Sequence, residues 1–217
     1  MASGVVAATG ESPSRGAQKR TAILDAAQRI FFANGFVGTS MDQVAATAAV
    51  SKQTVYKHFG DKEALFHEVV TNVVRVQDGG IPVDFLSSGE GSIEVRLRSF
   101  ARMFLKGVMQ PDVLNLRRLV IGEAGRFPEL GRAFYDLGPK RATDQLARAL
   151  HESAARHDLL IEDPNFAAEH LLWLILSIPL NQAMLLGDQR SFSEIELDRY
   201  ADEGVATFLR AYRSSES

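Results

Sequence analysis

The chain has 217 residues, 46% hydrophobic, 24% charged and 8% aromatic, which excludes intrinsic disorder for most of its length and excludes collagenous or low-complexity types. It contains no cysteine, which removes disulfide scaffolds, thiolate metal sites, iron–sulfur clusters and cysteine nucleophiles together. The net charge of −3 speaks against nucleic acid as a partner until its distribution is read, because a phosphate-binding surface is usually basic. From Arg15 to Lys62, seven basic residues (Arg15, Lys19, Arg20, Arg29, Lys52, Lys57, Lys62) stand against three acidic ones (Asp25, Asp42, Asp61), a local balance of +4. The rest of the chain therefore sums to −7.

Residues 1–16 are small and polar without the apolar run of a signal peptide, and read as a disordered leader of a cytoplasmic protein. Ile23, Ala27, Ile30 and Phe31 have helical spacing and predict a first helix over 17–34, ended by Gly35. Ser40 and Gln43 form a capping box for a short second helix with Val44, Ala45 and Ala48 inward. Ser51 caps a third helix to about Phe59, and after Gly60, Asp61 caps a fourth carrying Leu65, Phe66, Val69, Val70 and Val73. These elements divide into a small N-terminal unit over 17–62 and a connecting helix over 63–77. Asp78 to Gly91, with four Gly, one Pro and two Ser, is a loop before a larger helical domain over 92–217.

In that domain, Ile93 to Val108 carries an apolar stripe ended by Pro111, and a helix over 112–124 follows. A third helix from Pro128 to Leu137 closes at Gly138, and Pro139 opens a fourth at its N1 position. Asp163 and Pro164 start the apolar helix ending at Gly187, whose 17 uncharged residues from Leu171 sit at the lower edge of a membrane span. Pro179, Asn181 and Gln182 inside that run favour a buried helix, so no membrane partner is expected. Ser193 and Glu196 make a second capping box, for a last helix with Ala201, Val205, Phe208, Leu209 and Tyr212 in its stripe. With no alternating β-branched run anywhere, the fold class is all-α: an N-terminal helix-turn-helix domain and a larger helical domain.

Two short helices joined by a tight turn, the second opening on polar and basic residues, are the pattern whose second helix enters the DNA major groove. Helix pairs of this kind also occur as plain architecture. The string ILDAAQRIFFANGFVGTSMDQVAATAAVSKQTVYKHFGDKEALF from Ile23 resembles the N-terminal domain of the tetracycline-repressor (TetR) family almost position for position. It departs at Ala49, where the family usually has Gly in the turn, and a left-handed backbone there costs an Ala about 1 kcal/mol. RRLVIGEAGRFPELGRAFYDLGP from Arg117 resembles the effector-binding region of the AefR-like subgroup.

The resemblance implies that Tyr56 and His58 hydrogen-bond phosphates, against the plainer reading of Tyr56 as a half-buried aromatic and His58 as a solvated residue. It also implies a phosphate docked at Lys62, where the helix dipole alone disfavours a cation. Lys52, Gln53, Thr54 and Lys57 are the outward residues of the recognition helix, Lys and Gln suiting guanine and adenine edges and Thr a thymine methyl. Thr39 and Ser40 would set hydroxyls against the DNA backbone, although Ser40 as a pure cap is compatible. Lys19 and Arg20 read as a solvated face.

The six consecutive apolar residues from Leu171 to Leu176 put hydrophobic surface all round one helix, so one face needs a partner. Leu172, Trp173, Leu176, Val205, Phe208, Leu209 and Tyr212 are the interface residues of the homodimeric four-helix bundle that the resemblance also implies. Phe100, Met103, Phe104, Met109, Phe127, Phe134 and Tyr135 are candidates for a cavity taking a small apolar or aromatic effector. His151-Glu152 lacks a second His at metalloprotease spacing, and no strand precedes a glycine-rich loop, so no enzyme, metal or cofactor is expected. The function implied is a transcriptional regulator on a duplex operator, a repressor released by its effector. The alternatives are a TetR-like activator and a helical small-molecule carrier without DNA activity.

Overall fold

The computed structural model describes residues 14–78, 86, 91–155 and 159–213. Among them are ten α-helices and no strand; a lone antiparallel bridge pairs Leu159 with Arg213. The helices are α1 Arg15–Asn34, α2 Met41–Thr47, α3 Lys52–Phe59, α4 Lys62–Asp78 and α5 Ile93–Val108. They continue with α6 Pro111–Glu123, α7 Pro128–Tyr135, α8 Arg141–Ala155, α9 Pro164–Leu186 and α10 Glu194–Tyr212. Most of the 78–91 loop and residues 1–13 of the expected leader lie outside the described residues.

Two compact units divide the chain between Phe66 and His67, within α4. The first is built on an aromatic cluster. Phe31 near the end of α1 stacks on Phe36 at 5.9 Å, and Phe66 from α4 meets both edge-on at 5.3 and 5.5 Å. Edge-to-face pairs of this kind add to the area they bury. Helix α1 starts two residues earlier than the leader boundary, because the Ser14 hydroxyl accepts from Ala17 N–H and holds Arg15 and Gly16 in the first turn.

In the second unit α5, α8, α9 and α10 enclose one apolar core that includes Leu97, Phe100, Leu146, Leu150, Leu171, Ile175, Val205 and Phe208. α9 passes so close to α10 that a Cβ on Gly204 would lie 3.3 Å from the Leu174 carbonyl. Outside the core, α5 and α10 are clasped by charge. Arg98 and Arg102 pair with Asp202 at 3.5 and 2.6 Å, and Lys106 pairs with Asp198 at 3.0 Å and Glu194 at 3.3 Å. Both sets repeat every four residues, so each occupies one face of its helix.

The expected break at Gly138 and Pro139 is absent. α7 runs instead into a π-helical turn, Asp136–Lys140, and from there directly into α8. Pro139 has no N–H to give and its ring crowds the carbonyl four residues back, and the wider π turn relieves both without ending the helix.

Candidate functional site

The turn between α2 and α3 is a complete Schellman motif. Val50 N–H reaches the Ala45 carbonyl at 3.0 Å and Ala49 N–H reaches that of Ala46 at 3.2 Å. Ala49 takes the left-handed residue of the motif at φ 53°, the one non-glycine with positive φ among the described residues. The capping box of α2 is formed: Gln43 N–H donates to the Ser40 hydroxyl at 3.2 Å and Ser40 N–H donates to Gln43 Oε1 at 2.9 Å. Ser51 caps α3 by accepting from Thr54 N–H, and the two hydroxyls share a 2.8 Å hydrogen bond.

With Val55 and Phe59 buried, α3 leaves Lys52, Gln53, Tyr56, Lys57 and His58 exposed, Tyr56 to 43%. That is a face of two cations, an amide, a phenol and an imidazole on a helix anchored by its opposite side. Lys52 is held by Asp42 of α2 at 2.8 Å, whose hydrogen bond and charge keep the ammonium above its usual pKa. Its ammonium also lies 5.8 Å from the centre of the Tyr56 ring. The Arg20 guanidinium covers the Phe59 ring at 5.3 Å, which ties α1 to α3.

The second unit contains a partly open cavity of about 150 Å³, lined by α4, α5, α6, α7, the π turn, α8 and α9. Its walls are apolar, with Phe104, Val108, Val113, Phe134, Leu172 and Leu176 among them, and Val74 contributed by α4. Trp173, the single tryptophan of the chain, stands on the same lining. Among the described residues one cation stands on the lining, Arg117 of α6, whose guanidinium lies 5.1 Å from the centre of the Phe134 ring. Trp173 is itself 59% exposed, and on its side away from the cavity α9 exposes Leu174, Ile178 and Leu185, the last to 77%.

Residues 95–214 match the model of the AefR-like transcriptional repressor C-terminal domain, and residues 23–69 that of the bacterial regulatory proteins of the tetR family. The chain belongs to the TetR family. A TetR-family regulator from Mesorhizobium loti MAFF303099 is 40% identical, with a TM-score of 0.83 over 93% of this chain and 100% of that one. The flavonoid-responsive regulator FrrA is 34% identical, with a TM-score of 0.77 over 91% of this chain and 98% of FrrA. The transcriptional regulator RutR of Escherichia coli K12 is 37% identical over 76 residues, so the match spans 36% of RutR's length and 35% of this chain. This TetR-family chain is thus a helix-turn-helix transcriptional regulator, of a family whose members bind DNA operators as dimers.

Several of the residues expected to serve the site are placed elsewhere. Thr39 is only 3% exposed and its hydroxyl donates to the Gly35 carbonyl at 2.8 Å, so it closes the α1–α2 connection. Lys62 Nζ donates to the carbonyls of Phe36 at 2.9 Å and Thr39 at 3.1 Å and lies 4.5 Å from the Phe36 ring centre. Two of its three donors thus serve the same connection. Next to them a Cβ on Gly38 would collide with the Asn34 carbonyl, so the connection admits no side chain there.

Of the seven effector candidates only Phe104 and Phe134 line the cavity. Phe100 belongs to the core, Met109 packs against it, and Met103 and Tyr135 are exposed. Phe127 is the N-cap residue of α7, away from the lining. Among the interface candidates, Val205, Phe208 and Leu209 take their burial from their own chain, and Leu172 and Leu176 face the cavity. Tyr212 is half-buried with its hydroxyl 2.6 Å from His170 Nδ1, which leaves Trp173 as the exposed member of the set. Arg117 was absent from the expected site although its position was informative. It shares a helical face with Val113 and Val120, an apolar stripe where a cation requires a reason.

Proposed function

We propose that the chain is a cytoplasmic repressor that binds its operator as a homodimer through α3 and leaves it when a small apolar or aromatic molecule enters the cavity of the second unit. The exposed face of α3 carries this reading, since Gln53, Tyr56, Lys57 and His58 are exposed on a helix fixed by Val55 and Phe59. Tyr56, Lys57 and His58 take phosphates and Gln53 reads a base edge, with Lys52 and Thr54 beside them and Ser40 bringing the start of α2 to the backbone. Lys62 is a positioning residue that holds the α1–α2 connection. The exposed apolar face of α9 pairs with its copy, which sets two recognition helices on half-sites about 34 Å apart.

An aromatic effector is supported by the apolar lining and by the likeness to FrrA, whose name makes it flavonoid-responsive. A cavity of about 150 Å³ admits one aromatic ring and lies below the roughly 300–1,000 Å³ of sites for larger ligands, so a larger effector has to part its walls. One of those walls is Val74, on the helix that begins at Lys62. Footprinting of the DNA upstream of the chain's own gene tests the reading. A protected two-fold site that loses protection in Lys57→Ala supports it, and failure to retard any such duplex at low salt overturns it.

A further inference from the structure

Arg117 stands on the lining of the apolar cavity, and among the described residues its guanidinium has no hydrogen bond or ion pair, its Nε being buried without a partner. The guanidinium lies over the Phe134 ring, 5.1 Å from its centre. Burial pulls the group below the usual arginine range, the direction expected where a cation is desolvated without a charged partner on the protein. The remaining polar side chains on the lining do not compensate it. The Thr143 hydroxyl donates to the Pro139 carbonyl at 3.1 Å, and Glu169 is exposed, so its carboxylate keeps its water.

A guanidinium of this kind presents five donors in a fork that fits two oxygens side by side. From this unpaired cation in an aromatic-walled cavity we infer that the effector is an aromatic body bearing a carboxylate, seated on Arg117. The inference rests on the cavity being the effector site. The aromatic part packs on Phe104 and Phe134, and the acidic group pairs with the guanidinium, which no side chain of the described lining does. Recognition is then selective by charge, because a neutral analogue would leave the arginine buried and unpaired in the complex as well.

Matched probes test this: benzoate against benzamide, and 2-naphthoate against 2-naphthamide. Calorimetry supplies the affinities, and the indole N–H resonance of Trp173, unique in the chain, reports whether each probe reaches the cavity. The wild type should bind at least one acid tenfold or more tighter than its amide, with the Trp173 resonance shifting in proportion to occupancy. In Arg117→Met the preference should collapse to within twofold while amide binding is retained, and Arg117→Lys should fall between. Equal affinity for acid and amide in the wild type overturns the inference but keeps the cavity. A preference that survives in Arg117→Met also overturns it. No saturable Trp173 shift with any of the four probes overturns both the inference and the cavity reading.

Discussion

At the scale of single residues, the recognition unit is held by a few backbone-directed contacts whose removal has opposite signs. Ala49 sits in a left-handed conformation that costs an L residue roughly 1–2 kcal/mol, against about 0.4–1 kcal/mol of extra chain entropy that a glycine loses on folding. Ala49→Gly should therefore raise the unfolding free energy by about 0.5–1 kcal/mol, measured by urea denaturation, and leave DNA affinity near its starting value. A destabilised variant would contradict the strain argument. Lys57 and Lys62 separate contact from support. Lys57 is exposed on α3, so Lys57→Ala should lower the slope of log affinity against log salt by about one unit. The Lys62 ammonium serves the Phe36 and Thr39 carbonyls, so Lys62→Ala should lower thermal stability by about 1–3 kcal/mol and weaken binding with the salt slope unchanged. Reading the sequence placed both lysines in the right unit, since charge and cap signals are local. The direction of the Lys62 amine depends on carbonyls more than twenty positions earlier, and no spacing rule carries that information.

At the scale of helices, starts were legible because each rests on one side chain and one N–H close by in sequence: Ser40, Ser51, Asp61, Asp163 and Ser193 all cap as their spacing predicts. The continuous passage from α7 to α8 was not, because Gly138 and Pro139 carry local break signals and packing kept the helix going through a wider turn. Periodicity also tells which residues share a face but not what the face meets. Val205, Phe208 and Leu209 form a stripe that faces their own core, whereas the exposed residues of α9 face outward. The capping box of α10 gives a pH prediction. Glu196 is brought from 4.5 to about 2 by its hydrogen bond to Arg190, 2.7 Å away, and by those to the Ser193 backbone and hydroxyl. Glu94 and Asp202 are lowered in the same sense by Arg98 and by Arg102. A carboxylate with a depressed folded-state pKa contributes stability above its unfolded value, and loses it as pH falls through the folded value. Melting temperature should accordingly decline from about pH 4.5 toward pH 2. Glu196→Gln, which can keep the capping box without the charge, should make the decline shallower, and an unchanged profile would remove Glu196 from the explanation.

At the scale of the whole molecule, the second unit has to do two things with α9, and its two faces divide the work. The inner face closes the core and cavity through Leu171, Leu172, Ile175 and Leu176. The outer face leaves Leu174 and Ile178 at 40% and 49% exposure, so a glutamate at either position stays hydrated in an isolated chain and is buried without a partner in a pair. Leu174→Glu and Ile178→Glu should thus fold with helical content intact yet sediment as monomers, with operator affinity lost by a hundredfold or more because each half-site then binds alone. A monomeric wild type at micromolar concentration would remove the basis for the face altogether. Switching follows from α4, which carries Lys62 at its start and Val74 on the cavity wall. An effector that parts the walls can alter operator affinity only by its own preference for the parted state, typically 1–3 kcal/mol or about 5- to 150-fold. Linkage requires the operator to weaken effector binding by that same factor. Calorimetry of one acid probe with and without operator duplex measures it directly, and equal affinities in the two titrations would mean that filling the cavity is not what releases the DNA.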